Sequence, residues 1–393
     1  MGTAKKEKVP ELQVVRAFAI IGVIAVHSTS SATLQMTESH YYFFYNFLNI
    51  FLKFGTSTFI ALSAFVLFYN YLDRPLGSSL IKHFYKQRLL YILVPYFVFS
   101  LIYFCLQQTS AGAPGMDAGE LTRSFFTKLV TGKAYTHLYF VFINAQFYLL
   151  FPLFLWLFKR FRGLHSWAVV LGFALQWAFV IANKYYFQVE NRGSWVLSYM
   201  AYYMLGAALG IYYPKIKQWL IVRKEHASGT RIAVWSLLWL LWLAAGLSHV
   251  YIWYETRMNG LLYNSLLYEL LYNIYASLSV LVLLQIASVV YHQGRSALGR
   301  GLAQLGSVSF GVYLLHPIVL LLYRLFSPQT GTAWLLHLWY AGGFALALTL
   351  AWFVVSMAGR YLPYASVFFG PLPKPKRSEL RQEARSSAAF PGK

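Results

Sequence analysis

The chain has 393 residues, of which 58% are hydrophobic, 19% aromatic and only 11% charged, with a mean hydropathy of +0.51. Globular domains carry about a quarter charged residues, so this composition excludes an ordinary soluble protein and points to a polytopic membrane protein. A net charge of +21 would suit a nucleic-acid binder, but the cations are spread over alternate loops, so orientation and anionic lipid explain them better and no nucleic-acid partner is expected.

Windows of roughly 20 apolar residues predict an all-α transmembrane bundle of about ten spans. In chain order they lie near 12–30, 43–71, 89–108, 138–158, 166–183, 195–213, 232–253, 266–290, 302–327 and 334–359. Lys5, Lys6 and Lys8 precede the first span as in a secretory signal. Arg16 inside its apolar core and the lack of a small-x-small cleavage site instead predict a retained signal anchor. The second span is too long for one straight crossing and is interrupted by Lys53 and Gly55, which predicts a tilt, a break or a split. Cys105, in the third span, is the lone cysteine, so no intramolecular disulfide can form.

The longest external segment, Thr109 to His137, starts with the turn-rich SAGAPG and is expected to lie over the outer mouth as a loop or short helix. Aromatic residues at span ends, among them Tyr41, Tyr42, Trp195, Trp219, Trp253 and Tyr254, fit interfacial belts. Past Gly370 the chain reads PLPKPKRSELRQEARSSAAFPGK. This divides it into a membrane domain, 1–370, and a basic tail, 371–393, expected to be disordered at the cytoplasmic surface. No Cys/His set has zinc spacing, no Gly-rich phosphate loop follows a strand, and there is no internal repeat, so no metal site is expected.

Counting Lys and Arg on alternate sides of the ten spans gives 24 on the side of the N-terminus and 6 on the other, with Arg16, Lys53 and Arg324 inside spans. That asymmetry predicts both termini in the cytoplasm of an inner or plasma membrane protein.

Chemistry must come from polar groups in or beside the bundle. The first span, LQVVRAFAIIGVIAVHSTS, holds Arg16 and His27 eleven positions apart. At 100° per residue that separation is three turns plus about 20°, so the two share one helix face roughly 16 Å apart along the axis. Ionisable groups inside a membrane are costly and by default mark a functional site. Two readings fit. In one, Arg16 snorkels to the nearby headgroups and His27 hydrogen-bonds across the bundle. In the other, the phosphates of a ligand rest on Arg16 and a slender arm of some 15 Å carries its reactive end to His27, a shape that the pantetheine arm of coenzyme A has. Imidazole, with an unperturbed pKa of about 6.5, can take the proton of an attacking hydroxyl, as acyl transfer from a thioester to an alcohol requires.

The stretch ELQVVRAFAIIGVIAVHS resembles the first helix of the acyltransferase-3 family, bacterial integral membrane proteins that O-acylate sugars of surface polysaccharides, in which Arg, ten residues, then His recurs. FLKFGTSTFIALSAFVLF is similar to that family's second helix, RLLYILVPYFVF to its third-helix entry, HLYFVFINAQFYLLFPLF to its fourth and SFGVYLLHPIVLLLY to its ninth, all in family order. The resemblance implies that Arg16 and His27 are the functional pair, with His27 catalytic, and that Glu11 matches an acidic opening residue whose bland role is to complement the helix dipole. Lys53 aligns with a basic residue that would help hold an anionic part of the donor, or would simply snorkel. Where the family writes Ser-Gly-Phe, this chain has Ser63, Ala64 and Phe65, so a close contact normally left open by glycine is partly filled. Tyr139 stands where a Trp is common and keeps an aromatic wall.

Three residues carry two readings each. Arg88 is a second phosphate contact or an effect of the positive-inside bias. His316 precedes Pro317, which frees the carbonyl of Tyr313, so it either satisfies a kink or meets substrate. Glu269, the carboxylate well inside a predicted span, pairs with Arg324 or binds acceptor hydroxyls.

The function these readings imply is a membrane O-acyltransferase that moves an acyl group, acetyl in the simplest case, from acyl-CoA to a hydroxyl of a carbohydrate or lipid-linked glycan. His27 would be the base and Arg16 the donor clamp, with no permanently bound cofactor. A transporter or flippase of a lipid-linked sugar or polysaccharide is the competing class, since buried cations and a polar cavity in ten spans would serve it equally well.

Overall fold

The computed structural model describes residues 6–110, 117–221, 228–292, 297–328 and 333–373, and within them the chain is helical with no strand. Residues 111–116, in the SAGAPG segment, and the basic tail from Lys374 lie outside the described residues.

Helix α1 (Glu11–Thr29) is followed by the single turn α2 (Ala32–Gln35). The long second stretch splits into α3 (Tyr42–Phe51) and α4 (Phe54–Tyr71), with the break at Leu52 and Lys53. Helix α5 (Ser78–Arg88) passes through one π turn, Leu89–Leu93, into α6 (Val94–Ser110). Pro95 lies just beyond that turn and has no N–H to give back, which suits a local widening of the helix. The external segment holds α7 (Ala118–Thr131), opened by Asp117 accepting from the Glu120 N–H at 2.8 Å and closed by Gly132 at φ +71°.

Helices α8 (Tyr139–Arg160) and α9 (Leu164–Ala182) follow, then two 3₁₀ turns lead into α10 (Met200–Leu220). Helices α11 (Gly229–Asn259), α12 (Ser265–His292), α13 (Ala297–Arg324), α14 (Ala333–Tyr361) and the short α15 (Ala365–Phe369) complete the chain.

Nine helices among the described residues are long and apolar enough to cross a membrane. The stretch predicted as the sixth span is α10, whose tyrosines, Lys215 and Lys217 lower its hydropathy. Such a sequence is tolerated because protein, not lipid, surrounds it: Met200 to Ala207 are all buried. Burial sorts the rest. In α1 and α13, 67% of the apolar stretch is covered by protein, against 17% in α11, whose Leu237, Leu240 and Leu247 point outward. A ring of apolar side chains facing out around a polar-containing interior is what a lipid solvent selects.

Contacts at the two ends fix the course of the chain. Lys6 pairs with Asp73 at 2.6 Å, Glu7 with Lys217 at 3.2 Å and Glu11 with His292 at 2.8 Å, which brings the start of α1 to the ends of α4, α10 and α12. At the other end Arg324 donates to the carbonyl of His27 at 2.7 Å and Tyr340 to Gln35 at 2.7 Å. Successive long helices therefore alternate in direction, and Lys6 and Pro371 share one face, called here the terminal face. Glu11 is more than a dipole complement, since it is 3% exposed and ties α1 to α12.

Two close approaches hold the inner helices. A Cβ on Gly206 would lie 2.0 Å from the carbonyl oxygen of Ala61, and one on Gly210 2.5 Å from that of Phe65. The small residue missing from the Ser63–Ala64–Phe65 word is thus supplied by α10, across the interface. On α13, a Cβ on Gly306 would meet the Gln13 carbonyl at 1.7 Å, so α1 and α13 touch backbone to backbone. Gly301, on the same helix, has nothing within 4 Å. Gly210→Leu should therefore lower the thermal unfolding midpoint of the detergent-solubilised protein, at an overpacking cost of about 3 kcal/mol. Gly301→Leu should leave it unchanged or raise it, and equal midpoints for the two variants would contradict the packing.

Candidate active site

A cavity of about 440 Å³ opens between α1, α4, α8 and α13 near the terminal face. Arg16 and Arg88 both line it, with Ser63, Tyr148 and Asn144. Arg16 lies one turn from Gln13, whose side-chain oxygen accepts from it at 3.3 Å. The Arg88 guanidinium stacks over Tyr148 at 5.0 Å and Phe84 at 5.3 Å, and Ser63 and Tyr148 share a 2.8 Å hydrogen bond. Neither arginine has a carboxylate partner among the described residues, and the Arg88 Nε–H is buried without an acceptor. Two guanidinia left unneutralised in one cavity form an anion site suited to phosphate.

Phe59, Phe140 and Tyr313 line the cavity with their rings in mutual contact, and Tyr313 also packs against His137 and His316. Beyond those rings lie three histidines. The ring centre of His27 is 5.3 Å from that of His316 and 6.4 Å from that of His137, and the last two are 5.7 Å apart. His137 precedes α8, is 1% exposed and packs edge-on against Tyr103, Tyr135 and Tyr313, while its carbonyl accepts from the Tyr313 hydroxyl. Neither ring nitrogen of His137 has a partner.

His316 is fully buried beside Pro317. Its Nδ1 lies 3.2 Å from the carbonyl oxygen of Val312, which can only accept, so Nδ1 carries the proton and Nε2 is a bare lone pair. That Nε2 is buried without a partner. A buried polar group without a partner asks for a ligand, a water or a chemical role. Among the described residues no group of histidine, cysteine and carboxylate side chains has metal-site geometry.

The acyltransferase-domain family model, acyltransferase 3, matches residues 9–356. The chain belongs to the acyltransferase-3 family. Among curated proteins it is similar to the probable poly-beta-1,6-N-acetyl-D-glucosamine export protein of Staphylococcus epidermidis and to its counterpart from strain RP62A. Each is 27% identical over 336 residues, covering 80% of this chain and 82% of the relative. No solved structure matches. The protein is thus a multi-pass membrane protein of an acyltransferase family.

Within this acyltransferase-3 bundle, the sequence-predicted residues separate into groups. Arg16, Arg88 and Ser63 share the cavity. His27 and His316 come together, joined by His137, which sequence reasoning left in the outer loop although it opens the HLYFVF word.

Lys53, read as a contact to an anionic part of the donor or as a snorkelling lysine, does not line the cavity and lies 5.2 Å from the Trp253 ring of α11. Tyr139 does not line the cavity, whereas the next residue, Phe140, does. Glu269 does not pair with Arg324. It binds Arg192 at 2.7 Å and Asn273 at 3.2 Å, while Arg324 is occupied by the His27 carbonyl.

His137→Phe keeps a ring in the cage of Tyr103 and Tyr135 but removes both nitrogens. It should leave the unfolding midpoint near wild type while lowering acyl transfer by at least roughly tenfold; an unaltered rate would assign His137 to packing.

Proposed function

We propose that this chain is an O-acyltransferase of the cell membrane that moves an acyl group, acetyl in the simplest case, from acyl-CoA to a hydroxyl of a surface or exported carbohydrate. The observation that carries the reading is the two-ended path. Two carboxylate-free arginines line a cavity at one end, and beyond its rings lie His27, His137 and His316, the last two with buried ring nitrogens that have no partner. Along α1 the eleven residues from Arg16 to His27 span roughly 16 Å, the reach of a pantetheine arm. The excess of cations on the terminal side in the sequence supports a cytoplasmic terminal face, where acyl-CoA is available.

In this mechanism the phosphates of the donor rest on Arg16 and Arg88. His27 takes the proton of the acceptor hydroxyl as its oxygen attacks the thioester carbonyl, and a tetrahedral oxyanion forms. Collapse restores the carbonyl and breaks the C–S bond, and the imidazolium returns its proton to the thiolate. His316, with a bare Nε2 near His27, orients the base or shares its proton. Transfer through an acyl-imidazole on His27 uses the same geometry in two steps.

The name of the staphylococcal relatives favours a second reading, export of a β-1,6-linked N-acetylglucosamine polymer, and also suggests such a polymer as acceptor. The two readings separate in a deletion strain. Loss of the acyltransferase leaves a glycan that is exported without its ester-linked acyl groups, whereas loss of an exporter stops export and leaves ester content unchanged.

With radiolabelled acetyl-CoA and detergent-purified protein, His27→Ala should lower transfer or hydrolysis by about 10²–10⁴-fold without weakening donor binding. Arg16→Gln should chiefly raise KM for the donor. Full activity in His27→Ala would overturn the catalytic assignment.

A further inference from the structure

The end of the bundle away from the terminal face holds a second group of cations that the acyl-transfer path does not use. The Lys53 ammonium lies 5.2 Å from the centre of the Trp253 ring, and the Arg257 guanidinium 5.4 Å from the same ring. Arg257 donates to the side-chain oxygens of Asn46 and Asn49, each at 3.0 Å, and both partners are neutral. Among the described residues no carboxylate pairs with Lys53 or Arg257. Positive-inside bias does not explain them, because this is the face with few cations, and Arg192 on it is matched by Glu269.

His249 supplies an independent observation. It is 3% exposed, and its Nε2 lies 3.0 Å from the indole nitrogen of Trp253. An indole nitrogen can only donate, so Nε2 is the accepting nitrogen and the proton sits on Nδ1. That Nδ1–H is buried and has no acceptor. Around Trp253, then, lie an ammonium, a guanidinium and an imidazole N–H without an acceptor, and the side chains that contact them are neutral. Buried charges are normally paired, and buried donors normally bonded. Lys53 is half-buried, which leaves the group an opening. The group is also braced on α1, since Asn49 donates to the carbonyl of Val26, the residue before His27, at 3.1 Å.

We propose that Lys53, Arg257 and His249 form a second anion-binding site, for one carboxylate or phosphate group, separate from the cavity of Arg16 and Arg88. A lipid headgroup phosphate and the charged group of a glycan share this chemistry. The site stands apart from the acyl-transfer reading and is tested by binding alone.

The protein is prepared in dodecyl maltoside micelles, whose headgroups carry no phosphate, with Arg16→Gln and Arg88→Gln, which removes the cations of the other cavity. Inorganic phosphate or sodium glucuronate is then titrated at fixed ionic strength while the thermal unfolding midpoint is followed. The midpoint should rise, and adding Lys53→Gln or Arg257→Gln should raise the half-saturating concentration at least roughly tenfold. Lys53→Arg should keep the response, as should Lys184→Gln, which removes a cation bonded instead to Asn264. Each variant is compared with its own anion-free midpoint, so a loss of basal stability does not obscure the result. In nanodiscs containing phosphatidylglycerol, a rise that depends on Lys53 and abolishes the response to free anions supports the site and identifies lipid as its source. Undiminished responses to free anions there support it with a soluble or glycan source. No rise dependent on Lys53 or Arg257 with phosphate, glucuronate or phosphatidylglycerol overturns the site.

Discussion

Helix α1 is held at backbone distance on two sides, and the positions of the polar groups follow from that confinement. Gly306 of α13 admits the Gln13 carbonyl on one side, and Gly55 of α4 admits the Ala19 carbonyl on another, where an added Cβ would lie at 2.6 Å. A helix gripped in this way cannot turn its charged face to lipid or headgroup. Arg16 is held against the cavity and His27 against His316. Without hydrophobic attraction between helices in a bilayer, close van der Waals contact of this kind is what holds an inner helix in place.

The polar groups inside the bundle divide by whether they are satisfied. Gln176, Asn273, Tyr202, Glu269 and Arg192 form a continuous hydrogen-bonded chain, and Glu11 meets His292. These networks join helices, and in the first of them Glu269 is paired with Arg192. Arg16, Arg88, His137 and His316 break the pattern with charges or ring nitrogens that the protein does not match. Leaving such groups unpaired is costly in a low-dielectric interior, and these four lie at the two ends of one path.

The sequence made the bundle legible because a bilayer imposes a length and a polarity on every crossing, and the interruption at Lys53 was visible as a charge where none is cheap. Helix α10 was legible as a helix, but its central position was not, since burial by protein relaxes the very hydropathy that marks a crossing. The pairing of Glu269 illustrates the opposite limit. Charge and depth made Arg324 a reasonable partner, yet pairing depends on which helix ends meet, and the 3₁₀ turns before α10 bring Arg192 to Glu269 instead. His137 was overlooked because it precedes its helix by two residues and reads as loop; its burial comes from Tyr103 and Tyr313 on distant segments.

The ring layer between the arginine cavity and the histidines bears on how an acyl group would travel. Phe59, Phe140 and Tyr313 have ring centres 5.2 to 6.4 Å apart, and Tyr313 is anchored through its hydroxyl to the His137 carbonyl. An open aqueous channel through this position would leak ions and expose a thioester to hydrolysis, so a closed layer is compatible with a membrane enzyme only if the donor itself parts it. A slender thioester arm can displace one aromatic side chain where a hydrated phosphate cannot. On the acyl-transfer reading, the same rings therefore keep the charged part of the donor beside Arg16 and Arg88 while its reactive end reaches His27. Because Tyr313 is bonded to His137, opening the layer also releases the residue that packs beside the proposed base. On that reading, admitting the acyl group would also shift the histidines, because the ring that must yield is bonded to one of them.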